Sequence, residues 1–119
     1  MIRLLVVDNN AEFLEVFTRL LERQPDMEVV AQAASLVQAR AKLSGVDVAI
    51  IDRGLPDGDG LEIISELREA SPEAGVLVMS ATAEERHPQE ALEAGADGVI
   101  DKVAPPEEII SAIRGVGGG

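Results

Sequence analysis

Hydrophobic and polar positions follow one another along this chain in two recurring patterns. The first is a short, unbroken apolar run that ends at polar residues, as in residues 4–7. Such a run, rich in branched side chains, is typical of a strand buried on both faces. The second pattern has apolar residues at helical spacing, such as Phe13, Phe17 and Leu21, and stops at Pro25. Together they predict strands that alternate with amphipathic helices.

This alternation occurs five times. The predicted strands cover residues 4–7, 28–33, 46–51, 76–79 and 98–100. The predicted helices cover residues 13–24, 36–43 and 61–70, a weaker segment from about residue 87 to 95, and a last helix that contains Ile109, Ile110 and Ile113. Strands that alternate with helices favour a parallel sheet covered on both faces. We therefore predict a doubly wound, three-layer α/β fold with five parallel strands.

The length of 119 residues is that of one ordinary domain. We assign residues 1–114 to this domain, and the glycine-rich residues 115–119 to a flexible tail or the start of a linker. The chain contains no cysteine, which excludes disulfides and thiolate metal sites. It also lacks a signal peptide and an apolar run of the roughly 20 residues that a membrane span needs, so we expect a cytoplasmic protein with no membrane partner. The formal charge of -12 argues against direct binding to nucleic acid.

Polar residues collect where the predicted strands end. Asp8 and Asn9 follow the first strand, Asp52 the third, Ser80 the fourth, and Lys102 comes just after the fifth. In doubly wound sheets the ligand site lies beyond the carboxyl ends of the strands. These side chains are therefore the candidates for the functional site.

Four segments resemble the CheY-like receiver domains of two-component response regulators. They read V-V-D-N, I-I-D-R-G-L-P-D-G-D-G, V-M-S-A and G-V-I-D-K-V-A-P-P-E-E-I, and the resemblance covers essentially the whole chain. Residues 102–109 are most similar to the LuxR/NarL-type subfamily. The resemblance implies the strand order 2-1-3-4-5. It also implies a signalling domain, with at most self-phosphorylation from a phosphodonor and autodephosphorylation as its own activity.

The same resemblance supplies the expected partners. A sensor histidine kinase would donate the phosphoryl group, and the switch would act on an output domain. For this subfamily that output is a C-terminal helix-turn-helix, absent from this chain, through which alone DNA would be bound in transcription regulation. Formation of a homodimer on activation is a further expectation.

The resemblance also assigns the phosphoacceptor and its metal. Asp52 would attack phosphorus as a carboxylate nucleophile and become an acyl phosphate. Both reacting groups are anionic, so a Mg²⁺ ion is implied, held by Asp8, Asn9, Asp52 and the backbone carbonyl of Gly54. Asn9 stands where the family usually has an acidic residue, and we therefore expect weak Mg²⁺ binding.

Two further residues take roles from the family. Lys102 would pair with a phosphoryl oxygen and, before phosphorylation, relieve the repulsion between Asp8 and Asp52. Ser80 would donate a hydrogen bond to another phosphoryl oxygen and draw its loop inward.

Three more positions depart from the family pattern. Val99 replaces a common aromatic switch residue, and Val103 follows the lysine where proline is frequent. Pro88 lies where the fourth helix would be under way, which predicts that this helix begins near His87 or is distorted.

Simpler interpretations exist for each candidate. Asp8 and Asn9 suit a strand exit and helix cap, and an isolated Asp52, Ser80 or Lys102 would be an ordinary surface residue. The segment of residues 57–60, D-G-D-G, is similar to a calcium loop, but its first ligand position would be Leu55, so we interpret it as turn chemistry.

Three other function classes were weighed. A nucleotide-binding flavodoxin-like enzyme would need a glycine-rich phosphate loop after the first strand, and none is present. A phosphatase with an aspartate nucleophile would need D-x-D there, whereas the sequence is D-N-N. A degenerate receiver, acting as a phosphorylation-independent interaction module, remains the alternative because of Asn9 and Val99.

Overall fold

The computed structural model describes residues 1–81 and 88–117. The strands are β1 Ile2–Val7, β2 Met27–Ala33, β3 Val48–Asp52, β4 Gly54–Leu55, β5 Gly58–Asp59, β6 Gly75–Ser80 and β7 Gly98–Asp101. The α-helices are α1 Ala11–Glu22, α2 Leu36–Arg40, α3 Ile64–Ala70, α4 Pro88–Glu93 and α5 Pro106–Gly117, and a 3-10 helix, Gly60–Ile63, leads into α3.

Five of the strands form one parallel sheet in the order β2-β1-β3-β6-β7. Counted without the short strands β4 and β5, this is the order 2-1-3-4-5, so the predicted fold class and topology are confirmed. β4 and β5 form a separate two-stranded antiparallel hairpin directly after β3. The carboxyl ends of β1, β3, β6 and β7 consequently lie side by side at one edge of the sheet.

The sheet has a separate hydrophobic core on each face. Leu4, Val6 and Ile50 pack on the face covered by α1 and α5. Leu5 and Ile51 point the other way, toward α2, α3 and α4. Because successive strand residues alternate between faces, both cores are built from the same strands. Each fully buried Leu or Ile contributes roughly 2 kcal/mol, which makes these strands the most stable part of the domain.

Two helices differ from their predicted lengths at the start or end. The helix predicted for residues 36–43 ends at Arg40, because the next two N–H groups, of Ala41 and Lys42, bond three residues back and tighten the last turn. The helix predicted for residues 61–70 begins as the 3-10 helix, which Asp59 caps, and becomes α-helical only at Ile64.

The last helix also extends beyond its expected end. Residues 115–119 were predicted to be a flexible tail, whereas α5 continues to Gly117. Val116 packs directly on Gly75, where a Cβ would collide with it, and Gly117 lies against Val48. Small residues at these contacts let the helix end pack on the sheet, which composition alone does not indicate.

The fourth helix begins at its proline. Pro88 is the first residue of α4, a first-turn position that proline tolerates because its missing N–H needs no partner there. His87, the predicted start, lies outside the described residues. None of the helices in the described ranges has both the length and the apolar composition needed to cross a bilayer.

Candidate functional site

Asp8, Asp52 and Lys102 meet at the carboxyl edge of the sheet. Lys102 Nζ lies 2.6 Å from Asp8 Oδ2 and 3.5 Å from Asp52 Oδ2. The Asp8 side chain is fully buried, that of Asp52 is 5 % exposed, and that of Lys102 is 16 % exposed. One ammonium therefore balances two carboxylates in a largely water-excluded site, with a formal charge of about -1.

The pleat of the strands explains why these three meet. Asp8, Asp52 and Lys102 each lie two residues beyond a strand residue that packs on the α1 and α5 face: Val6, Ile50 and Ile100. Side chains two residues apart in a strand point to the same side. On that side the Lys102 ammonium also lies 4.4 Å from the centre of the Phe13 ring, a cation–π contact that steadies it.

Backbone N–H groups orient both carboxylates. The Asn10 N–H donates to Asp8 Oδ1 at 2.8 Å, and the Gly54 N–H donates to Asp52 Oδ1 at 3.1 Å. One oxygen of each carboxylate is thus committed to the chain. The other oxygen of each, Oδ2, is directed to Lys102.

Ser80 lies beside this cluster but does not join it. It ends β6, is 1 % exposed, and its carbonyl accepts the Lys102 N–H at 3.0 Å. Its Oγ has no hydrogen-bond partner within the described residues. A buried hydroxyl without a partner costs about 1–3 kcal/mol, so an acceptor brought within reach would relieve that cost.

The remaining predicted site residues are more exposed. Asn9 is exposed and, with Asp8, lines a cleft of about 470 Å³ between α1, the end of β2 and α2. Gly54 is exposed at the start of β4. The structure therefore brings the side chains of three of the six predicted residues, Asp8, Asp52 and Lys102, into contact, while Gly54 and Ser80 are linked to them through backbone hydrogen bonds. The chemical roles of all six stay predictions.

A glycine holds the loop after β3 against the site. Gly60 is buried, and a Cβ there would collide with the carbonyl of Asp52 and the side chain of Ile51. The carbonyl of Arg53 accepts the N–H groups of Leu55 and Gly60, at 3.0 and 3.1 Å. Only glycine allows this approach, which is the physical reason for its place eight residues after Asp52.

The sequence analysis did not recognise Arg53 as part of the site region. Its side chain is 11 % exposed, and its Nη2 lies 2.7 Å from Asp59 Oδ2 and 3.2 Å from Glu90 Oε2. The hydrogen bonds that Arg53 donates, to Asp59 above all and to Glu90, raise the pKa of Arg53 against the opposing effect of burial. For Asp59 burial is the largest single influence and raises the pKa, but the hydrogen bonds from Arg53 and from the Leu61 N–H, together with the Arg53 charge, lower the pKa overall. The sequence did hold one indication of this role. Arg53 directly follows Asp52, so its side chain must point to the opposite face of the sheet.

The acidic loop that resembles a calcium site has other partners. Asp57 accepts the N–H groups of Leu36 and Val37, at 2.8 and 3.1 Å, and so caps α2 from across the site. The Leu36 N–H bond is the main cause of the lowered pKa of Asp57. Asp59 caps the 3-10 helix and binds Arg53. These two aspartates therefore cap helices in addition to forming the turn. Both carboxylates already have partners within the protein.

The site fits a magnesium ion better than a cation with many protein ligands. Within the described residues no three His, Cys, Asp or Glu side chains are grouped to hold a metal. The buried pair Asp8 and Asp52 does carry excess negative charge with oxygen donors only. Mg²⁺ uses hard oxygen ligands, often one or two carboxylates, and keeps several waters.

Comparison with known proteins agrees with this geometry. Residues 4–114 match the sequence family described as the response regulator receiver domain. The chain is 36% identical over 117 residues to the oxygen regulatory protein NreC of Staphylococcus epidermidis, covering 96% of this chain and 54% of that protein. It is 30% identical over 121 residues to the DNA-binding transcriptional activator DevR/DosR of Mycobacterium tuberculosis, covering 100% of this chain and 56% of that protein. It thus spans about half the length of these relatives.

A solved structure has the same fold and a similar sequence. The signal receiver domain of the putative response regulator NarL from Mycobacterium tuberculosis superposes with a TM-score of 0.83 at 30% identity. The match covers 99% of this chain and 97% of that domain.

Proposed function

This chain belongs to the response regulator receiver domain family, in its NarL/LuxR-type subfamily, and on that premise we propose that Asp52 is its phosphoacceptor. Receiver domains are signalling modules of two-component systems, in which sensor histidine kinases phosphorylate them. The observation that carries the proposal is the convergence of Asp8, Asp52 and Lys102 in a buried site with one cation for two carboxylates.

The reaction follows from that arrangement. An oxygen of Asp52 attacks the phosphorus of a phosphohistidine or a small phosphodonor such as acetyl phosphate. A P–O bond forms, the bond from phosphorus to the donor breaks, and the donor leaves with the bonding electron pair. Lys102 binds an oxygen of the transferred phosphoryl group, since its ammonium already contacts Asp52.

Asp8, Asp52 and the carbonyl of Gly54 would hold Mg²⁺, with Asn9 as an additional oxygen donor. When bound, the ion supplies neutralisation of the charge between the carboxylate and the phosphoryl group.

Ser80 is proposed to detect the product. Its buried hydroxyl lacks a partner within the described residues, and a phosphoryl oxygen on Asp52 is an acceptor that could satisfy it. Forming that bond draws the end of β6 toward Asp52.

The partners follow from the family. We propose a sensor histidine kinase as phosphodonor and, given the length of the relatives, an output domain of the LuxR type as the element that is switched. The relative DevR/DosR is named a DNA-binding transcriptional activator. Any contact of this protein with DNA is assigned to that output domain, since the chain described here has a formal charge of -12.

Mass spectrometry after incubation with acetyl phosphate and Mg²⁺ tests the proposal. The wild-type chain should gain the mass of one phosphoryl group, and Asp52→Asn should gain none while keeping its fold. Asp47→Asn is a matched control, because Asp47 is a carboxylate at the opposite end of β3 whose Oδ2 accepts the Arg3 N–H. No gain of mass in the wild type at any Mg²⁺ concentration would instead support a degenerate receiver, the alternative that the exposed Asn9 favours.

A further inference from the structure

Arg53 connects three parts of the domain through one guanidinium group. It follows Asp52 directly, its partner Asp59 lies where the loop after β3 enters the 3-10 helix, and its partner Glu90 lies in the first turn of α4. The Arg53 side chain is 11 % exposed, so the guanidinium itself is held largely out of water.

The two partners hold Arg53 unequally. Asp59 receives two bonds, from Nε at 3.3 Å and from Nη2 at 2.7 Å, whereas Glu90 receives one, from Nη2 at 3.2 Å. The Asp59 side chain is 39% exposed and that of Glu90 is 60% exposed. Arg53 is therefore fixed to its own loop by Asp59, and Glu90 is the weaker, separable contact.

Helix α4 is six residues long, and among its residues Ala91 is the buried one, while Leu92 is 51% exposed. A short helix that buries one side chain gains little from packing, so even an ion pair of the modest strength usual for exposed charges affects its position. The Arg53–Glu90 pair thus contributes more to the position of α4 than such a pair would on a well-packed helix.

We propose that Arg53 is a positioning residue that ties α4 to the phosphoacceptor loop in the unphosphorylated domain, and that separation of Glu90 from Arg53 accompanies activation. This inference rests on the proposed function. Arg53 directly follows Asp52 and is bound twice to Asp59, so a change in the phosphoacceptor loop reaches α4 through the single bond between Arg53 and Glu90. That bond is the weaker of the two contacts and is the one that separates. The pair therefore stabilises the inactive arrangement.

We call the contact between Arg53 and Glu90 the tether. The variant Glu90→Gln tests it with the least disturbance, because it removes one charge from an exposed side chain. Glu93→Gln is the matched control on the same helix, since Glu93 bonds Gln89 and not Arg53. By hydrogen–deuterium exchange without phosphodonor, the amides of residues 89–93 should exchange about threefold faster in Glu90→Gln than in the wild type. Glu93→Gln should match the wild type.

The second measurement concerns activation itself. Beryllofluoride with Mg²⁺ serves as the probe, because it mimics a phosphoryl group on a carboxylate. Glu90→Gln should bind it about threefold more tightly than the wild type, since the pair no longer has to be separated. In Arg53→Met the further change Glu90→Gln should have no effect, as a double-mutant cycle requires of a direct pair.

Each outcome decides between the two proposals. If Glu90→Gln equals Glu93→Gln in exchange and in beryllofluoride affinity, the tether is refuted while the phosphoacceptor site stands. If exchange rises but the affinity does not, the pair is structural only and its role in activation is refuted. If the wild type binds no beryllofluoride and takes up no phosphate, the proposed function itself fails, and with it the role assigned to Arg53 in switching.

Discussion

Replacing Lys102 by Met tests the central electrostatic feature of the site. Met keeps most of the aliphatic stem of Lys102 but removes the ammonium that contacts both carboxylates and lies over the Phe13 ring. Asp8 and Asp52 then face each other in a buried site without a cation. We expect the variant to be markedly less stable than the wild type when Mg²⁺ is absent.

The distances set the size of the effect. At an effective dielectric constant near 20, the attraction is about 6 kcal/mol for the 2.6 Å contact with Asp8 and about 5 kcal/mol for the 3.5 Å contact with Asp52. Most of this is offset by the cost of removing the three charges from water, and loss of one partner of a buried pair typically costs about 3–5 kcal/mol. We therefore expect a loss of about 3 kcal/mol, equivalent to a fall in Tm of roughly 10 °C for a domain of this size.

Urea denaturation in EDTA measures the stability that Lys102→Met loses, and denaturation in excess Mg²⁺ measures how much of it the ion restores. Lys42→Met is the control, because Lys42 is the other lysine of the chain and its exposed ammonium bonds only the Gln32 carbonyl among the described residues. Mg²⁺ should stabilise Lys102→Met more than the wild type, since a dication replaces the lost charge; at 100 times Kd the gain is about 2.7 kcal/mol.

Two results would refute this reasoning. A loss in Lys102→Met no larger than in Lys42→Met would mean that the carboxylates do not depend on the ammonium. If Lys102→Met costs as much stability in the Asp52→Asn background as in the wild type, Asp52 is not one of the charges that Lys102 balances.

Four further predictions concern the surroundings of the site. Asn9→Asp should tighten Mg²⁺ binding by about tenfold, or about 1.4 kcal/mol, in calorimetric titration; equal affinities would remove Asn9 from the proposed ligands. Asp52→Ala should leave the fold intact and hold or raise the Tm, because it removes one of two carboxylates that share one lysine; a large fall would indicate a structural role. Gly60→Ala should cost about 2 kcal/mol or more in urea denaturation because its Cβ collides with the chain, whereas Gly115→Ala, whose Cβ meets open space, should cost nothing. Asp57→Ala should lower stability at neutral pH, where the carboxylate caps α2. The pKa of Asp57 is lowered by folding, so its contribution is present above the unfolded pKa and is lost as pH falls through the folded pKa. In thermal unfolding the difference between the two proteins should begin to shrink below about pH 4 and vanish only below the lowered folded pKa, and a pH-independent difference would contradict the capping role.

The alternation of strands and helices was readable from the sequence because its cause is local. Buried strands read as unbroken apolar runs, and helices as apolar residues at helical spacing, whatever the rest of the chain does. The strand-end positions of Asp8, Asp52 and Lys102 follow from the same pattern. Since the side-chain period of a strand is two, their shared face also follows once the strands are known.

The tertiary structure alone decided how the connecting segments are used. The extension of α5 to Gly117 and the capping of α2 by Asp57 depend on contacts between residues far apart in the chain. The same holds for the pair Arg53 and Glu90, which are 37 positions apart. Local pattern shows which way a side chain leaves its strand. The partner that it meets depends on how the loops close over the edge of the sheet, and that closure is set by long-range packing.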